Sequence, residues 1–312
     1  VKDIWGNPTM RYTNLADVST GGDTRRVEGH MIDEFFLRRP YSGDGSYKLA
    51  DGSVNPNGGP RDGMIRTKAA LDWLAAGYTF NNNLKQINSN GSNLWYGDLI
   101  MADLNGDGKY GNDDDREFTG KSSTPKVTLG FNINASWRGF DLNMMWSGRF
   151  GGYHYINSKG ANGSMITNTG DALPGDAWNR YYFYDSEASH AGIIKNEQGV
   201  VIGSSYDPAA DPNARISNEY PRLLTSGGTT PSNTFYLYNT SFVKLKSLQI
   251  GYTLPKKWVA PAKINNLRVF VSGENLLTFK SDRFPGVDPE LGGSLAAYPI
   301  ARMFSGGLSV TF

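Results

Sequence analysis

The chain has no cysteine among its 312 residues. This absence excludes a disulfide framework and thiolate metal sites, and it is common in proteins of the bacterial envelope. The mean hydropathy is −0.46, and no run of residues approaches the ~18 apolar positions that indicate a transmembrane helix. The 31 basic and 30 acidic side chains nearly cancel, so the composition gives no electrostatic reason to expect a nucleic-acid partner.

Residues that usually carry catalysis are also scarce. The three histidines, His30, His154 and His190, are not in metal-ligand spacing. No nucleophile elbow is present, and the carboxylates concentrate in one loop at residues 103–115 instead of forming pairs suited to acid–base chemistry. We therefore expect a protein that is not an enzyme.

Glycine and aromatic residues are abundant, with 38 Gly, 17 Tyr and 7 Trp, as expected of β structure with long loops and interfacial aromatics. Between residues 127 and 137 apolar and polar residues alternate. One face carries Val127, Leu129, Phe131, Ile133, Ala135 and Trp137. This period of two predicts a strand with one apolar and one wet face.

A second strand is predicted at residues 140–150, after the short connection Arg138-Gly139, and so the two strands should form an antiparallel hairpin. Each is about eleven residues long, which matches the ~9–11 residues that a tilted strand needs to cross a bilayer. The hairpin is interpreted as part of a membrane β-barrel. The alternative is a half-buried hairpin in a soluble β-sandwich, and this hairpin alone does not decide between the two.

More strands are predicted at residues 31–39, 240–254, 267–279 and 303–312. A short helix is predicted at residues 67–76, with Thr67 as its N-cap and Gly77 just past its end. The alternation of polar and apolar residues changes parity just before Ser247, which indicates a bulge or the edge of the membrane.

Short connections alternate with long ones. Residues 138–139 and 255–266 are short turns, whereas residues 151–233 and 280–302 are long loops. Membrane barrels have short periplasmic turns and longer extracellular loops, so the C-terminus is expected in the periplasm. The last residue of the final strand pattern, Phe312, is interpreted as a signal for barrel assembly.

The acidic loop at residues 103–115 has the spacing of an EF-type calcium loop. The predicted ligands are Asp103, Asn105, Asp107, the Lys109 carbonyl and Asp114, with Gly108 at the sharp turn. No amphipathic helix flanks the loop, which favours a structural calcium site with an affinity of ~10⁻⁴–10⁻³ M over a switch. The alternative is a solvated acidic turn. Whether Asp114 or Asp115 supplies the last ligand stays open, although the spacing favours Asp114.

The long loop at residues 151–233 contains an aromatic-rich stretch. Its candidate contacts to substrate or a partner are Trp178, Asn179, Arg180, Tyr181, Tyr182 and Tyr184. Exposed aromatic rings beside amide and guanidinium groups can stack on sugars or anchor a protein partner. The alternative is that these rings pack a small core of the loop itself.

Five segments carry longer strings of residues in a fixed order. They are GDLIMADLNGDG (97–108), TPKVTLGFNINASWRGFDL (124–142), FVKLKSLQIGYTLP (242–255), LRVFVSGENLLTF (267–279) and the final LSVTF. Together they resemble the SusC/RagA family of TonB-dependent outer-membrane transporters from Bacteroidetes. The resemblance covers roughly residues 90–312 and leaves the long loop at residues 151–233 unmatched.

The resemblance implies an all-β fold, namely the last strands of a large transmembrane antiparallel barrel of about 22 strands. It implies an N-terminal plug that contacts the TonB complex, a SusD-like surface lipoprotein that captures substrate, and insertion machinery that assembles the barrel in lipid. The implied function is import of oligosaccharides or peptides across the outer membrane. We favour oligosaccharides, because import of glycans is the commoner use in the family that the chain resembles and because the loop is rich in aromatic residues.

We expect residues 1–312 to be the C-terminal part of such a barrel domain, because five strands cannot close a membrane barrel and the chain begins at Val1. The expected division is extracellular loops at residues 1–126, a membrane hairpin at 127–150, a long extracellular loop at 151–233 and the last membrane strands at 234–312. The alternative function is a calcium-stapled extracellular β-sandwich that binds carbohydrate or mediates adhesion.

Overall fold

A computed structural model describes residues 24–25, 30–31, 33–81, 94–107, 111, 114–156, 181–199, 201–222, 232–284, 288–291 and 300–312. The chain divides into two compact units. The first unit comprises residues 1–30, 34–119 and 157–236, and the second comprises residues 31–33, 120–156 and 237–312. All the long strands lie in the second unit.

Strands outnumber helices in the described residues. In chain order the strands are β1 (Thr24–Arg25), β2 (Glu34–Leu37), β3 (Glu117–Ser122), β4 (Val127–Trp137), β5 (Phe140–Phe150), β6 (Tyr153–Tyr155), β7 (Tyr181–Tyr182), β8 (Ile193–Lys195), β9 (Val201–Ser204), β10 (Tyr220–Arg222), β11 (Leu237–Asn239), β12 (Phe242–Thr253), β13 (Asn266–Lys280) and β14 (Met303–Thr311). The helices are α1 (Lys68–Asn81), α2 (Ser186–Ala191) and α3 (Lys256–Val259). Across the parts of the chain that the structure describes, no helix is long and apolar enough to span a membrane.

The second unit is built on one antiparallel sheet with the strand order β14-β13-β12-β5-β4. β4 and β5 have 11 residues each and pair in continuous register from Val127 opposite Phe150 to Trp137 opposite Phe140. The predicted hairpin is therefore confirmed at its predicted bounds. The predicted strands at the C-terminal side are also confirmed, since β12, β13 and β14 begin and end within two residues of the expected positions.

A two-residue turn joins β4 and β5. Arg138 and Gly139 have φ angles of 48° and 90°, and two successive positive values are typical of the type I′ turn, whose twist matches that of the flanking strands. A Cβ atom at Gly139 would lie 2.8 Å from the Thr253 carbonyl oxygen. Thr253 in turn donates its N–H to the Gly139 carbonyl at 2.8 Å. The turn thus fixes the end of β12 beside β5.

The register of β12 shifts between Leu245 and Ser247 against both of its neighbours, β5 and β13. The bulge that the change of parity predicted is therefore confirmed. Beyond it, Ala135, Leu142, Ile250 and Val271 stand in one row across four strands. Asn134, Asn143, Gln249 and Ser272 form the next row, on the opposite face.

The apolar face of this sheet is exposed. Its exposed side chains include Val127, Leu129, Phe131, Ile133, Val269, Val271, Leu308 and Val310. An apolar surface that continues across several strands is unusual in water and marks a face that meets an apolar neighbour. The strand periodicity therefore produces a sheet with one face suited to lipid and one face suited to water.

The first unit packs around α1 and an aromatic core. The buried core residues are Ile65, Ala70, Leu71, Leu74, Trp95, Tyr96, Ile100 and Tyr182. Thr67 Oγ1 accepts the Ala70 N–H at 3.2 Å, which confirms the predicted N-cap. The predicted helix end is wrong, because α1 continues to Asn81. Gly77 does not adopt the left-handed conformation of a C-terminal cap, and so the helix passes through it.

The predicted loop at residues 151–233 and the predicted strand at residues 31–39 differ in part from the structure. The long loop expected at residues 151–233 contains α2 and the strands β6 to β10, which have between two and four residues each. Strands this short cannot show the alternation by which a strand is recognised in sequence. The strand expected at residues 31–39 reduces to the four residues of β2, followed by isolated bridges at Arg38 and Pro40.

Candidate functional site

The polar face of the five-stranded sheet carries a charged bridge between two strands that are not neighbours. Arg268 of β13 donates from Nε and Nη2 to the Asp141 carboxylate of β5 at 2.9 and 2.5 Å. The bridge crosses β12 at Gly251, where a Cβ atom would lie 2.5 Å from both Arg268 Nη2 and Asp141 Oδ1. Because position 251 has no side chain, one bidentate ion pair can span three strands.

An aromatic ring, that of Phe270, lies next to Arg268 on the same polar face of the sheet. The Arg268 guanidinium lies 5.0 Å from the centroid of Phe270, which is a cation–π distance. The ring in turn lies over Gly307 of β14, where a Cβ atom would be 2.5 Å from Phe270 Cζ. The Arg268–Asp141 ion pair, the Phe270 ring and the two glycines therefore pack against one another across β5, β12, β13 and β14. This packing restricts the side chains of this part of the polar face.

A buried ion network lies farther along β12. The Lys244 side chain is 0% exposed, and its Nζ lies 2.5 Å from Asp288 Oδ2 and 2.9 Å from Glu290 Oε2. Lys246 Nζ donates to the two Glu290 oxygens at 2.6 and 2.5 Å. Two lysines thus face two carboxylates, so the buried charges balance and residues 288–291 are fixed to β12.

The electrostatics of the network keep Glu290 ionised at neutral pH. Burial acts to raise the pKa of Glu290, but the hydrogen bonds from Lys246 and Lys244 outweigh it and lower the pKa below its ordinary value. Sequence reasoning missed this network. Lys244 and Lys246 fit the polar positions of a strand, and their acidic partners stand 44 residues away in a predicted loop.

The predicted calcium loop is folded by its own side chains where it is described. Asp103 Oδ1 accepts the Gly106 N–H at 2.7 Å, and Asn105 Oδ1 accepts the Asp107 N–H at 2.9 Å. In such turns an Asp or Asn side chain accepts a hydrogen bond from a nearby backbone N–H and thereby stabilises the local bend. The carboxylate and amide oxygens of this stretch have the chemistry that calcium prefers.

Asp115 closes the same loop. Its carboxylate is buried and accepts the N–H groups of Leu104 and Gly111, both at 2.7 Å. Asp114 is exposed. The two acids are therefore in different surroundings, since Asp115 joins the two ends of the loop through the backbone. Which of them would be the last ligand stays a prediction.

The full ligand set extends beyond the described residues, which do not include Gly108 and Lys109. Within the described ranges, no group of three or more His, Asp or Glu side chains is arranged to hold a metal ion. Calcium binding by this loop therefore stays a prediction. The fit rests on the oxygen donors and on the turns at residues 103–107.

The aromatic stretch is only partly described. Trp178, Asn179 and Arg180 lie outside the described residues, and only the backbone of Tyr181 is described. Tyr182 is 1% exposed and belongs to the aromatic core of the first unit. Burial raises the pKa of its hydroxyl well above the ordinary value. Tyr182 therefore takes the packing role that sequence analysis left open as the alternative.

Tyr184 is half-buried against the same core. Its ring centroid lies 6.2 Å from that of Tyr96 in an edge-on arrangement, and burial raises the pKa of Tyr96 to about 12. The Tyr184 hydroxyl accepts a hydrogen bond from Arg222 Nη1 at 2.8 Å. Tyr184 thus contributes a ring to the core and an oxygen to an arginine.

That arginine forms a largely buried ion pair of the first unit. Arg222 Nε and Nη2 donate to the two carboxylate oxygens of Asp98 at 2.6 and 2.7 Å. Burial alone would lower the pKa of Arg222, but the adjacent carboxylate more than offsets it and raises the pKa above its ordinary value. Sequence reasoning missed this pair, whose members are 124 residues apart. The one available signal was Asp98, a lone charge in the apolar run LWYGDLIM.

Phe312, the predicted assembly signal, follows the last residue of β14. It is exposed and, by the alternation of the strand, shares the apolar face with Leu308 and Val310. A ring in this position can meet lipid or another apolar surface. Its part in barrel assembly stays a prediction.

No protein-family model matches the chain. The chain is 27% identical over 237 residues to the TonB-dependent receptor P3 of Formosa agariphila, a match that covers 69% of this chain and 19% of that protein. It is 26% identical over 137 residues to the TonB-dependent receptor SusC of Bacteroides thetaiotaomicron, which covers 43% of this chain and 13% of that protein. The chain thus spans less than a fifth of the length of these relatives.

Solved structures show a similar fold. The RagAB peptide importer in the open–open state matches with a TM-score of 0.52 and 18% identity, over 100% of this chain and 25% of that chain. Another structure, described as the RagAB peptide transporter, matches with a TM-score of 0.51 and 18% identity, over 94% of this chain and 24% of that chain. At this level of identity the likeness establishes the fold.

The five-stranded sheet therefore corresponds to part of an antiparallel β-barrel, as the sequence predicted, and in the described residues β4 and β14 are its edges. The chain is thus similar in sequence to TonB-dependent receptors that include SusC, and similar in fold to the RagAB importer. The similar proteins are receptors and importers, not enzymes. The resemblance that the five sequence strings predicted is confirmed.

Proposed function

We propose that this chain forms part of the barrel wall and extracellular rim of a TonB-dependent transporter in the bacterial outer membrane. One observation carries the proposal: long antiparallel strands present a continuous apolar face that is exposed in the chain. Hydrocarbon is the surrounding that such a face requires, and a closed barrel satisfies every backbone hydrogen bond of its strands there. The receptor matches support TonB as the source of energy.

The proposed orientation follows from the connections. The turn at residues 138–139 and the connection from β12 to β13 lie at one end of the sheet, where Thr253 meets Gly139. Short connections are periplasmic in barrels of this kind. The C-terminus then lies in the periplasm, and the segment between β6 and β11 lies outside the cell.

The proposed substrates are oligosaccharides or peptides, received from a SusD-like lipoprotein. A similar solved structure is named a peptide importer, whereas the aromatic-rich stretch favours sugars. Because Tyr182 and Tyr184 pack inward, stacking on a sugar would depend on the neighbouring Trp178 and Tyr181. We also propose that the loop at residues 103–115 binds calcium as a structural ion and stabilises the extracellular rim.

A soluble β-sandwich is less well supported. A sandwich covers the apolar face of each sheet with a second sheet. In the described residues, β4, β13 and β14 leave their apolar side chains exposed.

The experiment uses the full-length protein in its native outer membrane. Extraction in mild detergent and identification of bound chains should yield a surface lipoprotein. Deletion of the gene should abolish growth on one defined oligosaccharide or peptide and leave growth on monosaccharides and amino acids intact. A fraction of the protein that stays soluble without detergent, together with unchanged growth on all polymers, would contradict the proposal.

A further inference from the structure

The two turns at one end of the sheet share an unusual composition. Trp137 is 68% exposed and Trp258 is 62% exposed. Between them, Phe140 packs against Tyr252 with ring centroids 4.5 Å apart. Exposed rings with a polar edge or beside a polar backbone are the groups that settle at the boundary between hydrocarbon and headgroups.

Cations accompany these rings. The exposed basic residues of the two turns are Arg138, Lys256, Lys257 and Lys263. Arg138 lies over the ring of Trp137, with its Cζ 4.9 Å from the centroid. The short-turn rim, defined as these four cations with Trp137 and Trp258, therefore combines an apolar anchor with concentrated positive charge.

Acidic side chains do not neutralise this charge within the described part of the second unit. Among the described side chains, Asp141 is an acid next to the turn at residues 138–139, and both of its oxygens are already engaged by Arg268. The opposite end of the sheet differs, since Lys244 and Lys246 are paired with Asp288 and Glu290. The cations at one end of the strands are thus paired with carboxylates, whereas those of the short-turn rim are exposed to their surroundings.

The backbone holds the rim in place. Arg138 occupies the first position of the type I′ turn with a φ of 48°, and Lys263 ends its 3-10 turn with a φ of 58°. Both turns are attached to the same strand end, because Thr253 bonds to Gly139 directly before the connection that carries Lys256. The cations therefore project from a rigid edge beside the exposed rings.

We infer that the short-turn rim binds the headgroups of anionic phospholipids. The inference rests on the proposed placement of the sheet in a membrane. Phosphate groups supply the negative charge that the rim lacks, and the acyl chains below them meet Trp137 and Trp258. A soluble phosphate ion would pair with the cations of the rim but would leave Trp137 and Trp258 exposed to water. A phospholipid contacts both the cations and the rings, and it is therefore the ligand we infer.

The test uses the full-length protein, reconstituted in vesicles with equal amounts of phosphatidylcholine and phosphatidylglycerol and then extracted in mild detergent. Retained lipids are quantified by mass spectrometry. The rim variant carries Arg138→Gln, Lys256→Gln, Lys257→Gln and Lys263→Gln. The control variant loses the same charge elsewhere on the surface, through Lys48→Gln, Lys126→Gln, Lys195→Gln and Arg302→Gln.

The rim variant should lose its enrichment in phosphatidylglycerol by about fivefold or more, whereas the control variant should keep it. High salt should reduce the enrichment of the unchanged protein, because it screens exposed charges. Equal enrichment in the rim variant and the unchanged protein, or equal losses in both variants, would overturn the inference. If the rim variant keeps its phosphatidylglycerol but no longer binds an acidic protein that co-purifies with the unchanged protein, the inference is also overturned.

Two controls separate the possible failures. A protein that does not enter vesicles of any composition overturns the proposed function and this inference with it. A protein that inserts without preferring phosphatidylglycerol overturns the inference alone. If the fourfold variant does not fold, as judged by heat-modifiable migration on gels, the double variant Lys256→Gln with Lys257→Gln should still show a measurable part of the loss.

Discussion

At the scale of single residues, this chain uses a few buried charges and glycines to hold distant segments together. Arg222 and Asp98 are 124 residues apart, and they form one bidentate pair at the aromatic core of the first unit. Gly251 and Gly307 leave room on the polar face for the Arg268 side chain and the Phe270 ring. Two of these positions give testable predictions. Removing the Asp98 charge leaves the Arg222 guanidinium without its counter-charge, and adding a methyl group at position 307 crowds the Phe270 ring.

Asp98→Asn should destabilise the first unit strongly. The substitution leaves the Arg222 charge buried without a counter-charge, and breaking such pairs costs about 3–5 kcal/mol. Limited proteolysis of outer membranes should show faster cleavage of the segment between β6 and β11. The matched control is Lys68→Gln, which removes an exposed ion pair with Asp72 on α1 and should cost only ~0.3–0.5 kcal/mol. Equal cleavage rates in the two variants would contradict the structural role of Asp98.

Gly307→Ala should impair barrel assembly, and its neighbour provides the control. A Cβ atom at position 307 would lie 2.5 Å from the Phe270 ring, whereas at Gly306 the nearest atom would be 3.7 Å away. Overpacking of this kind costs about 1–3 kcal/mol. The measurement is the folded fraction of the full-length protein by heat-modifiable migration. Gly307→Ala should lower it, and a similar decrease for Gly306→Ala would show that the ring contact is not the cause.

At the scale of elements, the segment at residues 288–291 depends on β12. Lys244→Met should release it, because Asp288 and Glu290 would then be buried with one lysine between them. Lys246→Met should have a smaller effect, since the Lys246 side chain is partly exposed. Hydrogen exchange of residues 288–291 in detergent measures the difference. Faster exchange for Lys246→Met than for Lys244→Met would contradict the proposed order.

The same segment should respond to acid. The pKa of Glu290 in the folded protein lies below its ordinary value of 4.5, so the carboxylate stabilises the fold above that value. This stabilisation is lost as the pH falls through the lowered pKa, because the protonated acid no longer pairs with Lys246 and Lys244. The protection of residues 288–291 from exchange, expressed relative to the intrinsic exchange rate at each pH, should therefore decrease below about pH 4.5. Glu290→Gln should remove most of this dependence on pH.

The acidic loop supplies a second prediction at this scale. Chelation of calcium should increase protease cleavage at residues 103–115, and Asp103→Ala with Asp107→Ala should cause the same increase without chelation. The physical reason is that a bound calcium ion would tie oxygen ligands from several positions of the loop together, and the loop opens more easily when the ion is removed. Barrel insertion should be unchanged in the double variant. A cleavage rate that does not depend on calcium in the unchanged protein would show that the loop is a solvated turn.

At the scale of the whole molecule, the two faces of the sheet should tolerate charge differently. Phe131→Arg places a cation on the apolar face near the middle of β4, where arginine costs ~2–4 kcal/mol in a bilayer. Asn132→Arg places the same cation one residue farther, on the polar face, and should be tolerated. Levels of assembled protein in the outer membrane measure both. Equal levels would contradict the assignment of the apolar face to lipid.

Much of this fold could be predicted from sequence because strand periodicity is a local property. The alternation at residues 127–137 gave both the strand and its apolar face, and the change of parity before Ser247 gave the bulge. The same reasoning failed for α1, which runs past Gly77 to Asn81, and for the strands of two to four residues between β6 and β11. Local patterns of a few residues do not distinguish a short strand from a loop.

The sequence by itself determined the β class, the hairpin, the turn positions and the family resemblance, because each depends on residues close together in the chain. Tertiary structure alone decided which charges pair, as in Arg222 with Asp98 and Lys244 with Asp288. It also decided that Tyr182 is buried. These outcomes depend on which segments the fold brings together from positions 44 to 124 residues apart. Burial then makes an ion pair necessary wherever a charge is enclosed.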